Sequence, residues 1–182
     1  MDQGTVDAAQ EVLLSRDEIE QRVGELADVI TNDYRGRTPH LIGILKGAWV
    51  FMADLIRQMD IDVTVDFLGI TSYGAGMQSS GEVKITKDLD ISIEGREVLI
   101  VEDILDTGHT LKYLEEVLSA HKPRSLRVVT LLDKRSRRVV PVKADYVGFE
   151  IADIFVVGYG LDLDQKYRQF PDIHVLSITP AP

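Results

Sequence analysis

The stretch Val98-Leu99-Ile100-Val101-Glu102-Asp103-Ile104-Leu105-Asp106-Thr107-Gly108-His109-Thr110-Leu111 decides how this chain folds. Its four leading branched apolar residues read as a short strand buried on both faces in a parallel sheet. An acidic turn follows, Glu102-Asp103 and then Asp106, and after it come Thr107, Gly108, His109 and Thr110. Leu111, Leu114, Val117 and Leu118 then recur at helical spacing. This order aims backbone N–H groups and hydroxyls at whatever sits above the carboxyl end of the strand. The first N–H groups of a helix lack intrahelical partners and its dipole favours negative charge, so the loop is a potential anion site.

Carboxylates beside an anion cradle make sense once a divalent cation or sugar hydroxyls are added. Glu102 and Asp103 can accept hydrogen bonds from a ribose diol or help to hold Mg²⁺. Thr107 to Thr110 can wrap a monophosphate, with Gly108 allowing close backbone approach. Asp106, between the two groups, is placed to accept a proton from a nucleophile above the sugar. Two plainer readings compete. A Glu-Asp pair after a strand is often only a solvated turn, and Asp-Thr-Gly also occurs in aspartic proteases. The protease fold is all-β and needs two such aspartates, whereas an amphipathic helix follows here.

The run from Glu102 to Thr110 resembles the signature that binds phosphoribosyl pyrophosphate in type I phosphoribosyltransferases, in particular the hypoxanthine/guanine phosphoribosyltransferases. The resemblance implies that His109 serves through its backbone N–H rather than its ring. Upstream, Leu41-Ile42-Gly43-Ile44-Leu45 reads as a core strand running into Lys46-Gly47 and an apolar helical stretch from Ala48 to Met59. Taken alone, Lys46-Gly47 is an ordinary βα turn. Its position is similar to the family's Leu-Lys-Gly loop, which binds pyrophosphate largely through backbone groups and often contains a cis peptide.

Ile61 to Phe67 alternates apolar and polar, the mark of a strand with one wet face. Ser72 to Gly81 holds three glycines and three serines in ten residues, which predicts a mobile loop. By resemblance, Ser72-Tyr73 is the lid pair that closes over the reacting centre. Further upstream, Ser15-Arg16-Asp17-Glu18 reads as a capping box, and Ile19, Val23, Leu26, Ala27 and Ile30 mark one face of the helix it starts. Residues 1–14 are expected to be a loosely held arm.

Downstream, Leu126 to Leu132 is another buried strand, so strand, helix and strand form a right-handed βαβ unit. Asp133 to Arg138 then places four basic residues in six, a pattern that usually marks a solvated face. Lys134 alone lies at the carboxyl end of a strand, where ligands collect in open α/β sheets. The resemblance makes it the lysine that contacts the exocyclic oxygen of a 6-oxopurine. It also implies that Asp145–Ile151 and Phe155–Asp162 belong to a hood over the base. There Phe155 stacks on the purine, the backbone of Val156 pairs with the base edge, Asp162 stands near a second Mg²⁺, and Arg168 grips pyrophosphate.

Composition limits the alternatives. The 182 residues, 45% of them hydrophobic, suit one domain with a sizeable core. No apolar run approaches the roughly 18–20 residues that span a bilayer. The polar, acidic start argues against a secretory signal. With no cysteine, the cytoplasm is the expected location. A net charge of -10 disfavours nucleic acid and anionic lipid, and requires that an anionic substrate be held by local donors and metal.

The expectation is therefore an α/β fold over residues 1–182, a single-domain parallel sheet flanked by helices. A small hood is to be built from the N-terminal helix region and residues 145–182. The resemblance implies Mg²⁺-dependent phosphoribosyl transfer to hypoxanthine or guanine by a homodimer or homotetramer. The rivals are a nucleotide-sensing RNA-binding regulator on the same fold, which should show a basic face, and a xanthine-preferring transferase. Lys134 argues against adenine.

Overall fold

The apolar run at Val98 does form the centre of a sheet. The computed structural model describes residues 9–72 and 83–177, and in it this strand, β5 (Glu97–Leu105), lies between β2 (His40–Leu45) and β6 (Ser125–Asp133). The sheet has six strands in the order β4-β3-β2-β5-β6-β7, completed by β3 (Thr64–Ser72), β4 (Val83–Lys87) and β7 (Tyr146–Glu150). Every neighbouring pair is parallel except β3 with β4, which pair antiparallel.

Alternation along β5 sorts its side chains between two cores. Leu99 and Val101 face helices α1 (Arg16–Asp33) and α2 (Trp49–Gln58), packing with Leu26, Ile30, Phe51 and Leu55. Val98 and Ile100 face α3 (His109–Ala120) through Leu111, Leu114 and Leu118. Removing such a side chain from water contributes about 1.5–3 kcal/mol, which is why a strand covered on both sides reads as an unbroken apolar run.

The capping box forms as its spacing predicts. The Ser15 hydroxyl accepts from the Glu18 N–H, and the Ser15 N–H donates to the Glu18 carboxylate at 2.8 Å. The five apolar residues read from this helix are all buried.

Three expectations change. Residues 9–14 are not a loose arm: they form β1 (Ala9–Leu14), antiparallel to β9 (Ile173–Ser177) with Ala9 opposite Ser177. With β8 (Val156–Val157) these make a second, three-stranded sheet in the order β1-β9-β8. The N-terminal part of this hood is thus a strand, while α1 lies over the main sheet. Asp145–Ile151 does not belong to the hood either, because β7 is the edge of the main sheet, with Val129 opposite Tyr146. Finally, Glu102 and Asp103 do not form a turn; they sit within β5, which runs on to Leu105.

Candidate active site

Successive residues of a strand point to opposite faces, so Glu102 and Asp103 leave the end of β5 on different sides. Glu102 is only 5% exposed. Burial, and then the neighbouring Asp103 charge, push its carboxyl well above the usual range. Burial likewise pushes Asp103 up to about 6, although its Oδ1 accepts from the Ile104 N–H at 2.8 Å. A buried Glu102 beside a half-buried Asp103 costs free energy when both are ionised, and a metal ion or a pair of sugar hydroxyls relieves that cost.

Asp103 is pressed against Gly47. A Cβ on that residue would stand 1.4 Å from Asp103 Oδ2, so the loop after β2 approaches β5 this closely only with glycine there. The peptide between Leu45 and Lys46 in this loop is cis.

Beyond β5, Gly108 occupies the N-cap of α3 at φ 91°, with no side chain capping the helix. The first amides of α3 are therefore open to an anion. The loop is held from below: the Thr107 carbonyl accepts from Val139 N–H at 3.0 Å, and Arg138 donates to the Asp106 carbonyl while pairing with Asp133. The His109 ring is exposed and lines neither cavity of the site.

The second wall comes from the end of β6 and from the hood. Lys134, 7% exposed, is fixed by its N–H to the Leu105 carbonyl at 2.9 Å, and its Nζ stands 3.9 Å from Asp106 Oδ2. Phe155 is 44% exposed, a free ring face, and Val156 is buried beside it. Arg168 pairs with Asp162 at 2.6 Å, and Lys46 Nζ donates to Gln165 Oε1 at 3.1 Å.

Two adjoining cavities, of 280 and 320 Å³, occupy the cleft. Both are lined by Lys46, Gly47, Asp103 and Asp106. The first adds Glu102, Thr107, Gly108 and Thr110; the second adds Lys134, Phe155, Val156, Asp162 and Arg168. The expected site residues thus converge, apart from the His109 ring and the lid pair. The backbone of Ser72 ends β3, and Tyr73 lies outside the described residues.

Sequence reading missed two side chains. Arg137, taken as part of a solvated run, places Nε 3.2 Å from Asp106 Oδ1 and also pairs with Asp153 at 3.5 Å. Gln165 links Lys46 to the hood, and its N–H donates to Asp162 Oδ2 at 2.8 Å. The polar run Asp162-Leu163-Asp164-Gln165 could have suggested a turn. Nothing in it shows that Asp164 and Gln165 both adopt positive φ, 50° and 65°.

The chemistry of this donor set suits Mg²⁺. That ion takes one or two carboxylates plus substrate phosphates and waters rather than a full protein cage. Among the described residues no cluster of three His, Asp or Glu side chains could hold a metal alone. Glu102, Asp103, Asp106 and Asp162 are the carboxylates that line the cleft, and Asp106 is already engaged by Arg137 and Lys134.

Comparison with known proteins shows the family. The family model for the phosphoribosyl transferase domain matches residues 9–164. The chain is 53% identical over 167 residues to the hypoxanthine-guanine phosphoribosyltransferase of Bacillus subtilis, covering 92% of this chain and 93% of that one. Its structure is similar to a hypoxanthine phosphoribosyltransferase from Staphylococcus aureus, with TM-score 0.89, 47% identity and 97% of each chain covered. A hypoxanthine-guanine phosphoribosyltransferase from Bacillus anthracis, solved with a HEPES molecule in its active site, gives TM-score 0.88 at 46% identity, covering 92% of this chain and 98% of that one.

Proposed function

The chain belongs to the phosphoribosyltransferase family, and from that premise we infer that it transfers a 5-phosphoribosyl group from phosphoribosyl pyrophosphate to N9 of hypoxanthine or guanine. The products are IMP or GMP and pyrophosphate, a reaction of purine salvage. One observation carries the reading. A single cleft at the carboxyl edge of β5 gathers an adjacent carboxylate pair, the uncapped amino end of α3, and a wall with a lysine and an exposed aromatic side chain.

The roles follow from where charge develops. As the bond from the anomeric carbon to pyrophosphate stretches, the ribose becomes oxocarbenium-like and the leaving group gains negative charge. Backbone N–H groups at Lys46-Gly47 and the planar fork of Arg168 meet that charge. Glu102 and Asp103 take the ribose hydroxyls. The loop from Asp106 to Thr110 holds the 5′-phosphate, and this remote binding energy orients the ring for attack. Asp106 faces the imidazole edge of the purine as general base. Lys134 donates to the exocyclic oxygen and so favours an oxo over an amino group, Phe155 stacks, and the Val156 backbone pairs with the base edge.

Glu102, Asp103 and Asp162 would hold Mg²⁺, which would supply neutralising charge at the pyrophosphate. Lys46, Lys134, Arg137, Arg138 and Arg168 stand around the cleft, but Arg137 pairs with Asp106, Arg138 with Asp133 and Arg168 with Asp162. In a chain of net charge -10 an anionic substrate therefore relies on backbone amides and Mg²⁺ beside these cations. The reading further takes residues 1–182 as one domain, working in the cytoplasm as a homodimer or homotetramer. No helix among the described residues is long and apolar enough to cross a membrane.

A panel of hypoxanthine, guanine, xanthine and adenine with phosphoribosyl pyrophosphate and Mg²⁺, following pyrophosphate release, tests the assignment. Turnover with hypoxanthine or guanine and none with adenine is expected. Release with adenine alone, or with no purine, refutes it.

A further inference from the structure

Tyr159 opens the hairpin that carries Asp162, Gln165 and Arg168, and its backbone is left-handed at φ 50°. A bulky residue in that region is a conformational outlier that its surroundings must hold in place. The ring is buried, and the hydroxyl donates a 2.6 Å hydrogen bond to Asp54 Oδ2 on α2. The backbone closes the hairpin at the same point. Tyr159 N–H donates to the Phe170 carbonyl at 2.8 Å and Gly160 N–H to the Arg168 carbonyl at 3.1 Å. Arg168 Nη1 donates back to the Gly160 carbonyl at 2.6 Å.

Gly160 also rests on the loop across the cleft, since a Cβ there would lie 2.4 Å from the Gly47 carbonyl oxygen. That loop runs directly into α2. The bond from phenol to carboxylate therefore ties together the two elements that form opposite sides of the pyrophosphate wall. Neither Tyr159 nor Asp54 lines the two cavities of the cleft.

We propose that Tyr159, through its hydrogen bond to Asp54, is a positioning residue for pyrophosphate: it sets the height of the 158–168 hairpin over Lys46-Gly47, and with it the place of the Arg168 guanidinium. The inference rests on reading Arg168 and Lys46-Gly47 as the pyrophosphate site. Without the bond the hairpin keeps its own backbone ladder but loses its seat on α2. The base wall is carried by β6 and β8 and does not depend on this bond.

Tyr159→Phe removes the hydroxyl and leaves the ring. It should raise the KM for phosphoribosyl pyrophosphate and the inhibition constant of pyrophosphate about three- to tenfold, less than the full worth of a hydrogen bond to a carboxylate because Tyr159 acts through Arg168. The KM for hypoxanthine should stay within about twofold. Asp54→Asn keeps an oxygen that accepts from the phenol and should retain most of the affinity. Asp54→Leu should behave like Tyr159→Phe, and combining those two should add little. Should Tyr159→Phe fold poorly, the contrast between the two Asp54 variants carries the test alone. Unchanged affinity for phosphoribosyl pyrophosphate, or all constants moving together with a lower Tm, overturns the proposal. Arg168→Ala is the control. If it leaves pyrophosphate affinity untouched while the enzyme transfers phosphoribosyl groups, the pyrophosphate reading has failed and the positioning role falls with it.

Discussion

Asp106 stands between Arg137 at 3.2 Å and Lys134 at 3.9 Å, so both carboxylate oxygens already face cations before any purine arrives. If it is the base at the imidazole edge, Asp106→Asn keeps the shape and loses the proton acceptor. Turnover should then fall by about 10²–10⁴ with affinity for phosphoribosyl pyrophosphate preserved. Steady-state kinetics beside a circular dichroism spectrum decide this, and wild-type turnover removes Asp106 from the chemistry. The neighbouring carboxylates predict a pH effect. Burial raises both, Asp103 to about 6, so the folded state holds these protons more tightly than the unfolded chain. For Asp103 this contribution is most favourable below the unfolded value of about 4 and declines as the pH rises toward about 6. Asp103→Asn escapes that decline. In thermal melts without Mg²⁺ its Tm should gain on the wild type across this window, and a difference independent of pH contradicts the assignment.

At the scale of elements, what was legible was local. Ser15 and Glu18 lie three residues apart and bond to each other, so the start of α1 could be read directly. The run Val98 to Val101 marks the central strand because both of its faces are covered, by α1 and α2 on one side and α3 on the other, so its own residues are apolar without a break. The hood was less legible. β1 finds its partner at the other end of the chain, Ala9 against Ser177, and no spacing within residues 9–14 encodes that. The sequence of Tyr146–Glu150 does not reveal its sheet for the same reason, since its partner β6 is not written in its own pattern. In the site, the motif residues of β5 and α3 were readable. Arg137 and Gln165 were not, because their roles depend on contacts with Asp106 and Lys46 across the fold. Removing residues 1–14 should strip protection from the β9 amides in hydrogen exchange and raise the KM for the purine several-fold, since Val156 of β8 pairs with Val175 of β9. Unchanged protection of β9 means that β1 does not hold the hood.

Considered whole, the described residues form a six-stranded sheet with two cores and a three-stranded hood, and β5 is the strand that both cores share. Leu99, fully buried between β5 and the α1–α2 layer, tests that sharing. Leu99→Ala should cost about 2–5 kcal/mol, a large part of the 5–15 kcal/mol typical of a domain. In urea the fluorescence of Trp49, the single tryptophan, and the circular dichroism of the whole chain should shift to lower denaturant together. Separate transitions show two independent cores. The same strand carries the chemistry at its carboxyl end, and that is the central claim. A crystal structure with IMP bound tests it most directly. The 5′-phosphate should lie within hydrogen-bond distance of the amides from Thr107 to Thr110, with the ribose hydroxyls on Glu102 and Asp103. IMP settled elsewhere, with the tip of β5 bare, contradicts the account.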